Sequence, residues 1–377
     1  MKAKFISICF FAIAIYLVFA QVCLAKEKRL GQITSCTGEV DLRRAKETAW
    51  LEAELHMPVY FGDNIKTGTT GEAIVTFTDK SLLKIQSRTQ IALSAIISPL
   101  EKKNSVLLFF GRMWSKARKE LVEMRGYEVQ TPTVVLGVRG TEFEAASYED
   151  GTTSVRVESG EVLVDSETDR GILSSNQGTK LSFDKKTITV VSDFRPEWEE
   201  DEERARGNLF ADGRKYGGFV HREIYSRKDD LKGLVEKVNV LKANRERYLL
   251  RAKEAQDSGN QARYESYMSD VKKINREIAD LNKRIAFSGR RLECHFGLFS
   301  HYGYLAKHPE LSKKFHGKEF ILAQLDNIEM IRAEFDAMIE EGMKLSMEDM
   351  EDLMDEMKEK VREFRERKDK KGIFDEL

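Results

Sequence analysis

The sequence predicts an α+β protein whose two kinds of structure lie in separate domains: an N-terminal all-β sandwich or roll, then a C-terminal α-helical bundle or coiled-coil hairpin. Two observations predict this fold. From residue 33 to about residue 191, short runs alternate apolar and polar residues between Gly, Asp and Ser turns, as in all-β domains. After residue 193 the apolar residues recur three and four positions apart, as in amphipathic helices.

The first 25 residues have the pattern of a secretory signal peptide. Lys2 and Lys4 form a basic start, an apolar run from Phe5 to Ala20 follows, and small residues offer cleavage sites after Ala20 or Ala25. The apolar run is close to the roughly 20 residues that span a bilayer, so an uncleaved membrane anchor is the alternative. We expect an exported protein of the periplasm or cell envelope, in contact with a membrane only if this segment remains.

The composition of the chain argues against several classes of function. Its 377 residues carry a net charge of −1, so attraction of the whole chain to nucleic acid or anionic lipid is not expected. No nucleophile elbow, phosphate-binding loop, zinc-protease motif or pair of catalytic acids stands out. We therefore expect a protein that is not an enzyme and has no cofactor. Cys36 and Cys294, which follow the signal segment, could form a disulfide or remain separate thiols.

The β domain is expected over residues 26–194. The segments 37–44 and 72–86 alternate apolar and polar residues, and the second of them contains a hairpin turn. The segment 105–115 is more continuously apolar, which suits a buried strand. Residues 153–166 repeat the alternation around a Ser-Gly turn. Short strands at this spacing predict a sandwich, a barrel or a roll.

Several motifs in this region resemble the periplasmic FecR-type domain of bacterial envelope proteins. The clearest are the stretch TPTVVLGVRGTEF at residues 131–143 and the Gly-Asp-x-Ile-x-Thr turn at residues 62–67. The motif residues are Gly62, Asp63, Thr67, Asp79, Gly137, Arg139, Gly140, Thr141, Phe143 and Gly160. Lys80 stands where the family usually has glycine, which leaves the tight form of that turn open. The resemblance implies a binding or signalling module and does not name its ligand. Nothing ahead of the signal segment resembles the cytoplasmic anti-sigma helices of the transmembrane FecR regulators, so direct control of a sigma factor is not expected.

Within the longer motif, Arg139 is the residue that we single out for partner binding. A bend between two glycines would present its guanidinium to a carboxylate or to backbone carbonyls of a partner. The alternative is an internal ion pair with Glu142, Glu144 or Asp63 that locks the bend. Paired glycines inside a strand pattern also predict a bulge or a tight bend at this point.

The second half of the chain is predicted to be helical. Residues 195–219 are rich in charged side chains and are predicted to form a solvated linker, and the helical domain follows over residues 220–377. Apolar residues at three-four spacing on both sides of a polar break at residues 257–260 predict an antiparallel helical hairpin. Two further helices are predicted, around residues 321–339 and 346–364.

Four of the six histidines lie near Cys294, at positions His295, His301, His308 and His316. Their spacings match no tight pair of metal ligands, and the aromatic surroundings favour a packed connection between helices, so no metal site is predicted. Asp63 is likewise expected to cap its turn in preference to binding a cation.

The sequence therefore predicts a non-enzymatic envelope protein whose FecR-like β domain binds a protein or glycan partner and whose helical domain mediates interaction or oligomerisation. One alternative is a structural spacer or assembly scaffold that self-associates through the helical hairpin. The other is a metal-binding protein that uses the histidine-containing segment. The identity of the partner, the oligomeric state and the fate of the signal segment stay open.

Overall fold

A computed structural model describes residues 29–45, 47–94, 104–118 and 127–339 of the chain. The predicted signal peptide and the helix predicted around residues 346–364 lie outside these residues. None of the helices that the structure describes is both long enough and apolar enough to cross a membrane.

Residues 29–192 form the predicted β domain, in which fifteen described strands pair into one branched sheet around a shared apolar core. The strands are β1 (Arg29–Thr37), β2 (Val40–Arg43), β3 (Leu51–Glu52), β4 (Pro58–Tyr60), β5 (Asn64–Thr67), β6 (Glu72–Phe77), β7 (Leu82–Ile85), β8 (Gln90–Leu93), β9 (Asn104–Lys116), β10 (Tyr127–Gln130), β11 (Val135–Ser147), β12 (Thr153–Asp165), β13 (Arg170–Ser174), β14 (Gln177–Leu181) and β15 (Val191–Ser192). The alternating pattern predicts the buried face correctly, because Ala73, Val75 and Phe77 of β6 all point into the core.

Two long strands change neighbours half-way along their length. β9 pairs with β8 and β10 before Gly111, and with β7 and β11 from Gly111 onward. β11 pairs with β10 before Arg139 and with β9 from Glu142, and its register with β12 shifts between these two residues. Gly111 and Gly140 have φ angles of 97° and 62°, a left-handed region that other residues adopt only at a cost. The glycines therefore make the corners at which strands pass between layers, and the predicted bend at residues 137–140 is confirmed.

The turn between β6 and β7 forms although it lacks the usual glycine. Lys80 adopts a φ of 65°, the Phe77 amide donates to the Ser81 carbonyl at 2.9 Å, and the Lys80 amide donates to the Phe77 carbonyl at 2.8 Å. The Asp79 carboxylate accepts from the Ser81 amide at 2.8 Å. The hydrogen bonds hold Lys80 in a conformation that is intrinsically unfavourable for it.

Four helices follow the β domain in the described part of the chain: α1 (Trp198–Ala211), α2 (Gly213–Asp257), α3 (Gln261–Lys307) and α4 (318–339). α2 and α3 form the predicted antiparallel hairpin, joined at the polar break, where the Asn260 side chain accepts from the Arg263 amide at the start of α3. The side chains of Leu234, Val238, Ile278 and Leu281 form a separate small core within this hairpin. A one-turn 3₁₀ helix at Leu311–Lys314 precedes α4.

The solvated linker expected over residues 195–219 is instead helical from Trp198. The acidic residues of this segment lie in the first turn of α1, where negative charge is favoured by the exposed amides. Ala205 packs against Ala146 and Tyr148 of the β domain, and the buried Asp201 pairs with Lys180 at 2.6 Å. α1 therefore lies against the β domain, and the charges that suggested a linker form contacts.

The two cysteines that follow the signal segment are not joined by a disulfide. The Cys36 thiol donates to the Ala53 carbonyl at 3.3 Å, and the buried Cys294 thiol lies 3.5 Å from the Gln130 carbonyl. Each thiol therefore lies against a backbone carbonyl and not against the other thiol.

Candidate functional site

The β domain and the helical domain share an apolar core. Phe109 and Phe110 of β9 belong to the same buried cluster as Phe296 and Phe299 of α3. α3 lies directly against β9 at Gly297, where an added Cβ atom would lie 2.4 Å from the ring of Phe109. Because these contacts are continuous, the helical domain has a fixed position on the β domain.

A buried carboxylate joins three elements of this interface. Glu149, in the turn between β11 and β12, accepts from Arg206 of α1 through both carboxylate oxygens, at 2.8 and 3.0 Å. One oxygen also lies 2.7 Å from Nε2 of His301 on α3, and the Glu149 carbonyl accepts from the Tyr302 hydroxyl at 2.6 Å. Burial alone would raise the pKa of Glu149, but hydrogen bonds and charge from His301 and Arg206 outweigh it and hold this pKa at about 2.

A second group of buried charges lies where α2 and α3 meet the turn between β12 and β13. Arg227 of α2 donates to both carboxylate oxygens of Glu167, at 2.6 and 2.9 Å, and to Glu223 at 2.8 Å. Arg291 of α3 is fully buried beside them, 3.5 Å from Glu167. Burial and the neighbouring Arg227 lower the pKa of Arg291 to about 10. The same helix carries His295, whose pKa burial and Arg227 lower to about 3, so that its ring is neutral.

A cleft of about 610 Å³ opens between the two domains. Its β-domain wall includes Arg43, Trp50, Lys66, Arg88, Gln90 and Phe110, and its helical wall includes Arg206, Ser300, His301, Tyr304 and Arg332. We call this space the interdomain cleft. A volume of this size is typical of sites that hold small organic ligands.

Positive charge and aromatic rings dominate the interdomain cleft. The Arg43 guanidinium and the Lys66 amine lie 4.9 and 5.2 Å from the centre of the Trp50 ring. The acid lining of the cleft is Glu39 and Glu149, and Glu149 is already bound to Arg206 and His301. Lys66 pairs with Asp41 at 3.6 Å and Arg88 pairs with Glu202 at 3.4 Å, so Arg43 and Arg332 are the lining cations that form no ion pair with a described residue.

Arg43, on the β-domain wall, and Arg332, on the helical wall, both line the cleft. Burial and then the charge of Arg332 lower the pKa of Arg43. Arg332 forms no ion pair with any residue in the described ranges. Glu293 and Asp336 are the acids near it: burial raises the pKa of both, to about 7 for Glu293, and the charge of Arg332 opposes that rise. The cleft therefore carries one partly buried guanidinium from each domain.

A stack of rings leads from the core to the mouth of the cleft. The His301 ring lies on the Phe110 ring with centroids 3.8 Å apart, and the Tyr304 ring follows at 6.4 Å and 21° to the His301 ring. Tyr304 is 60% exposed. The stack fixes an aromatic surface that faces solvent.

The motif residues predicted from the sequence serve mainly as architecture. Thr67 donates to the Gln86 carbonyl at 2.6 Å, and Thr141 donates to the Glu161 carbonyl at 2.8 Å beside the β11 bulge. Phe143 is fully buried, and Gly160 has a φ of 86° opposite Gly140.

Arg139 pairs through its backbone with Glu161, while its side chain lies outside what the structure describes. The three acids considered as its internal partners are held by other cations. Asp63 pairs with Arg44 at 2.6 Å, Glu142 pairs with Lys116, and Glu144 pairs with Arg112 at 3.6 Å. Asp63 also accepts from the Tyr60 amide at 2.9 Å, so it organises its turn as predicted from the Gly-Asp motif.

The four histidines of this segment do not come together at one site. His295 is buried next to Arg291, His301 binds Glu149, His308 accepts from backbone amides beyond α3, and the backbone of His316 bonds to Phe210 and Gly213. Over residues 29–339, apart from the undescribed gaps, no group of three or more His, Cys, Asp or Glu could hold a metal ion.

Sequence reasoning did not identify the cleft residues as a site. Arg43, Trp50, Lys66, Tyr304 and Arg332 lie in no sequence motif that indicates a binding site. They come from both halves of the chain, so only the folded structure brings them together.

Comparison with known proteins gives one family match. Residues 63–163 match the family described as FecR protein. None of the curated proteins matches the chain.

Among solved structures, two crystal structures of a candidate anti-sigma factor from Parabacteroides distasonis ATCC 8503 are similar, with 19% identity and a TM-score of 0.31. The similarity covers 34% of this chain and 59% of that one, so the chain spans about three fifths of its length. A cell surface anchoring domain is similar over 18% of this chain and 87% of its own length, with 22% identity and a TM-score of 0.17.

Proposed function

We propose, from the FecR domain that residues 63–163 form, that this protein is a non-enzymatic component of the cell envelope that binds a partner in the interdomain cleft. FecR proteins are typically envelope-associated and act in signalling. In this proposal the N-terminal segment directs export, the cleft receives the partner, and the helical hairpin contacts a second component.

The observation that carries the proposal is that both domains build the cleft. Trp50 and Lys66 come from the β domain, while Tyr304 and Arg332 come from the helical domain. A ligand held there contacts both domains at once, so its binding free energy depends on their relative position. Arg43 and Arg332, which form no ion pair with a described residue, and the exposed ring of Tyr304 supply affinity for a polar, negatively charged partner.

The helical hairpin is suited to a separate contact. α2 has 45 residues, which corresponds to a length of about 65 Å at the rise of an α-helix. Beyond the β domain, Leu234 and Val238 of α2 pack against Ile278 and Leu281 of α3 in a small core of their own. The base of the hairpin is fixed to the β domain by Glu167 and Arg227, so the hairpin has a defined direction relative to the cleft.

Site-specific photocrosslinking in the native host tests the partner-binding role. A photoreactive benzoylphenylalanine in place of Ser300, which is exposed on α3 at the cleft, is expected to form an adduct with an envelope component. The same residue in place of Ser258, exposed at the far end of the hairpin, is the matched control. No adduct from the cleft position, or the same adduct from both positions, would contradict the proposal.

The scaffold alternative is favoured by one observation, the exposed apolar side chains on the distal part of α2. Val240 and Leu250 are 62% and 60% exposed, and Leu249, next to Leu250 in the chain, is 40% exposed. If the hairpin self-associates, light scattering of the purified protein will show a dimer or larger species that the double variant Val240→Glu, Leu250→Glu converts to monomer. A wild-type protein that remains monomeric over a wide concentration range excludes this alternative.

A further inference from the structure

We infer that the interdomain cleft binds an acidic saccharide, with the anionic group of the sugar between Arg43 and Arg332 and a sugar ring against Tyr304. The inference rests on the proposed function and narrows the chemical class of the partner. The anionic group is a carboxylate or a phosphate, since both accept hydrogen bonds from paired guanidiniums.

The need for an anion follows from the charges of the cleft. Arg43 and Arg332 are both partly buried, and each opposes the charge of the other. Two like charges at a fully hydrated surface repel one another weakly, because water screens them. Partial burial removes much of this screening and strengthens the repulsion. An anion between them would convert a repulsion into two charge-assisted contacts. Arg43 and Lys66 lie over the Trp50 ring and add positive charge beside this position, and Lys66 also pairs with Asp41 at 3.6 Å.

The need for a ring follows from the aromatic stack. The His301 ring is held by Glu149 and lies on Phe110, and the exposed Tyr304 ring lies nearly parallel to it, with centroids 6.4 Å apart. A preorganised flat surface with a hydroxyl at its edge suits a sugar, which has an apolar ring face and polar rim. Gln90 and Ser300 add neutral hydrogen-bonding groups to the lining, of the kind that bind sugar hydroxyls.

The strands beneath the cleft disfavour an extended acidic peptide. Such peptides commonly bind by adding a strand to a free sheet edge. β2 lies between β3 and β5, β5 lies between β2 and β8, and β8 lies between β5 and β9. These three strands are therefore paired on both sides, while β3, which follows Trp50, pairs with β2 alone among the described strands. Because β3 has only two residues, it offers too short an edge for an extended peptide, and recognition in the cleft depends mainly on side chains, which suits a compact ligand with many hydroxyl groups.

Titration calorimetry with the purified protein tests the inference. The probe is trigalacturonate, and the comparison ligands are its fully methyl-esterified form, inorganic phosphate and hexaglutamate. We expect saturable binding of trigalacturonate that weakens as salt is added, and binding of the neutral ester that is weaker by about tenfold or more. Inorganic phosphate, which has the charge but no ring, is expected to bind more weakly than trigalacturonate.

Variants assign the contacts. Arg43→Gln and Arg332→Gln are each expected to weaken trigalacturonate binding by about tenfold and to leave binding of the ester almost unchanged. Tyr304→Ala is expected to weaken binding of both sugars. Arg263→Gln, at the far end of the hairpin, is the matched control and should change neither. The melting temperature of each variant, measured alongside its binding, separates loss of binding from loss of folding.

The inference is overturned if trigalacturonate does not bind, if the ester binds equally well, or if Arg263→Gln has the same effect as Arg332→Gln. Tighter binding of hexaglutamate than of trigalacturonate would assign the site to an acidic peptide instead. If cleft crosslinks at position 300 persist while no sugar binds, the proposed function stands and the saccharide is wrong. If neither the crosslink at position 300 nor sugar binding is observed, both proposals are wrong.

Discussion

Replacing Glu149 with alanine is expected to lower the free energy of unfolding by about 3–5 kcal/mol, the usual cost of removing one partner from a buried ion pair. Glu149 is 5% exposed, and its carboxylate binds Arg206 of α1 and His301 of α3. Without it, two cationic or polar side chains at the domain interface lose their acceptor. Chemical denaturation followed by circular dichroism measures the change.

The matched control for this prediction is Glu310→Ala, since Glu310 forms an exposed ion pair with Lys313. Exposed pairs contribute little, so the control is expected to change stability by less than about 1 kcal/mol. Similar losses in the two variants would show that the Glu149 contacts do not stabilise the interface.

The same carboxylate predicts a dependence of stability on pH. The folded-state pKa of Glu149 is held at about 2, below its ordinary value of 4.5. A depressed carboxyl pKa contributes stability above about pH 4.5, and this contribution is lost as the pH falls toward 2. The groups that face it are Arg206 from α1 and His301 and Tyr302 from α3. The difference in stability between the wild type and Glu149→Ala should therefore shrink over this range, and a constant difference would contradict the assignment.

Replacing Arg291 with methionine is expected to raise the free energy of unfolding by about 1–4 kcal/mol. Arg291 is fully buried, and its Nε and Nη1 atoms have no hydrogen-bond partner within the part of the chain that the structure describes. Its Nη2 atom donates to the Thr133 carbonyl at 3.3 Å, and Glu167 lies 3.5 Å from its Nε, beyond an ordinary hydrogen bond. A lowered pKa means that folding disfavours the charged form, so an apolar side chain of similar length removes a cost.

Arg227→Met is the matched comparison, because Arg227 lies in the same cluster but donates to two carboxylates through both of its Nη atoms. Its pKa is raised, since hydrogen bonds and charge from Glu167 and Glu223 outweigh the opposing effect of burial. We expect a loss of about 2–3 kcal/mol, less than for a completely buried pair because both acids are partly exposed. Urea denaturation of the two variants measures both values. A loss of stability in Arg291→Met would show that this arginine is net stabilising in its cluster.

The β and helical halves were predictable because their signals are local. A strand that faces the core alternates every second residue, as Ala73, Val75 and Phe77 do. A helix packed on one side repeats every three or four residues, as Leu231, Leu234 and Val238 do. Glycine positions such as Gly140 indicate a bend because φ above zero is costly for other residues. These features depend on neighbours only a few residues away.

The sequence did not predict helix α1, because its run of acidic residues is compatible with two local structures. An acidic segment is typical of a solvated linker, and it is also typical of the first turn of a helix. Buried residues along α1 are few, namely Asp201, Ala205 and Leu209, so its apolar stripe is weak. The contacts of Ala205 with Ala146 and Tyr148, which lie more than fifty residues earlier, decide between the two meanings.

Local patterns in the sequence predict the division into a β domain and a helical domain, the hairpin, the FecR motif and the bend at residues 137–140. The pairing of charges and the place where a ligand could bind depend on the tertiary structure. Asp63 pairs with Arg44, and Arg43 lines the same cleft as Arg332 from the other domain. Periodicity records whether a side chain is buried or exposed, but it carries no information about which distant side chain lies opposite. The interdomain cleft, assembled from strands and helices far apart in the chain, exists only because the two domains pack through Phe109 and Gly297.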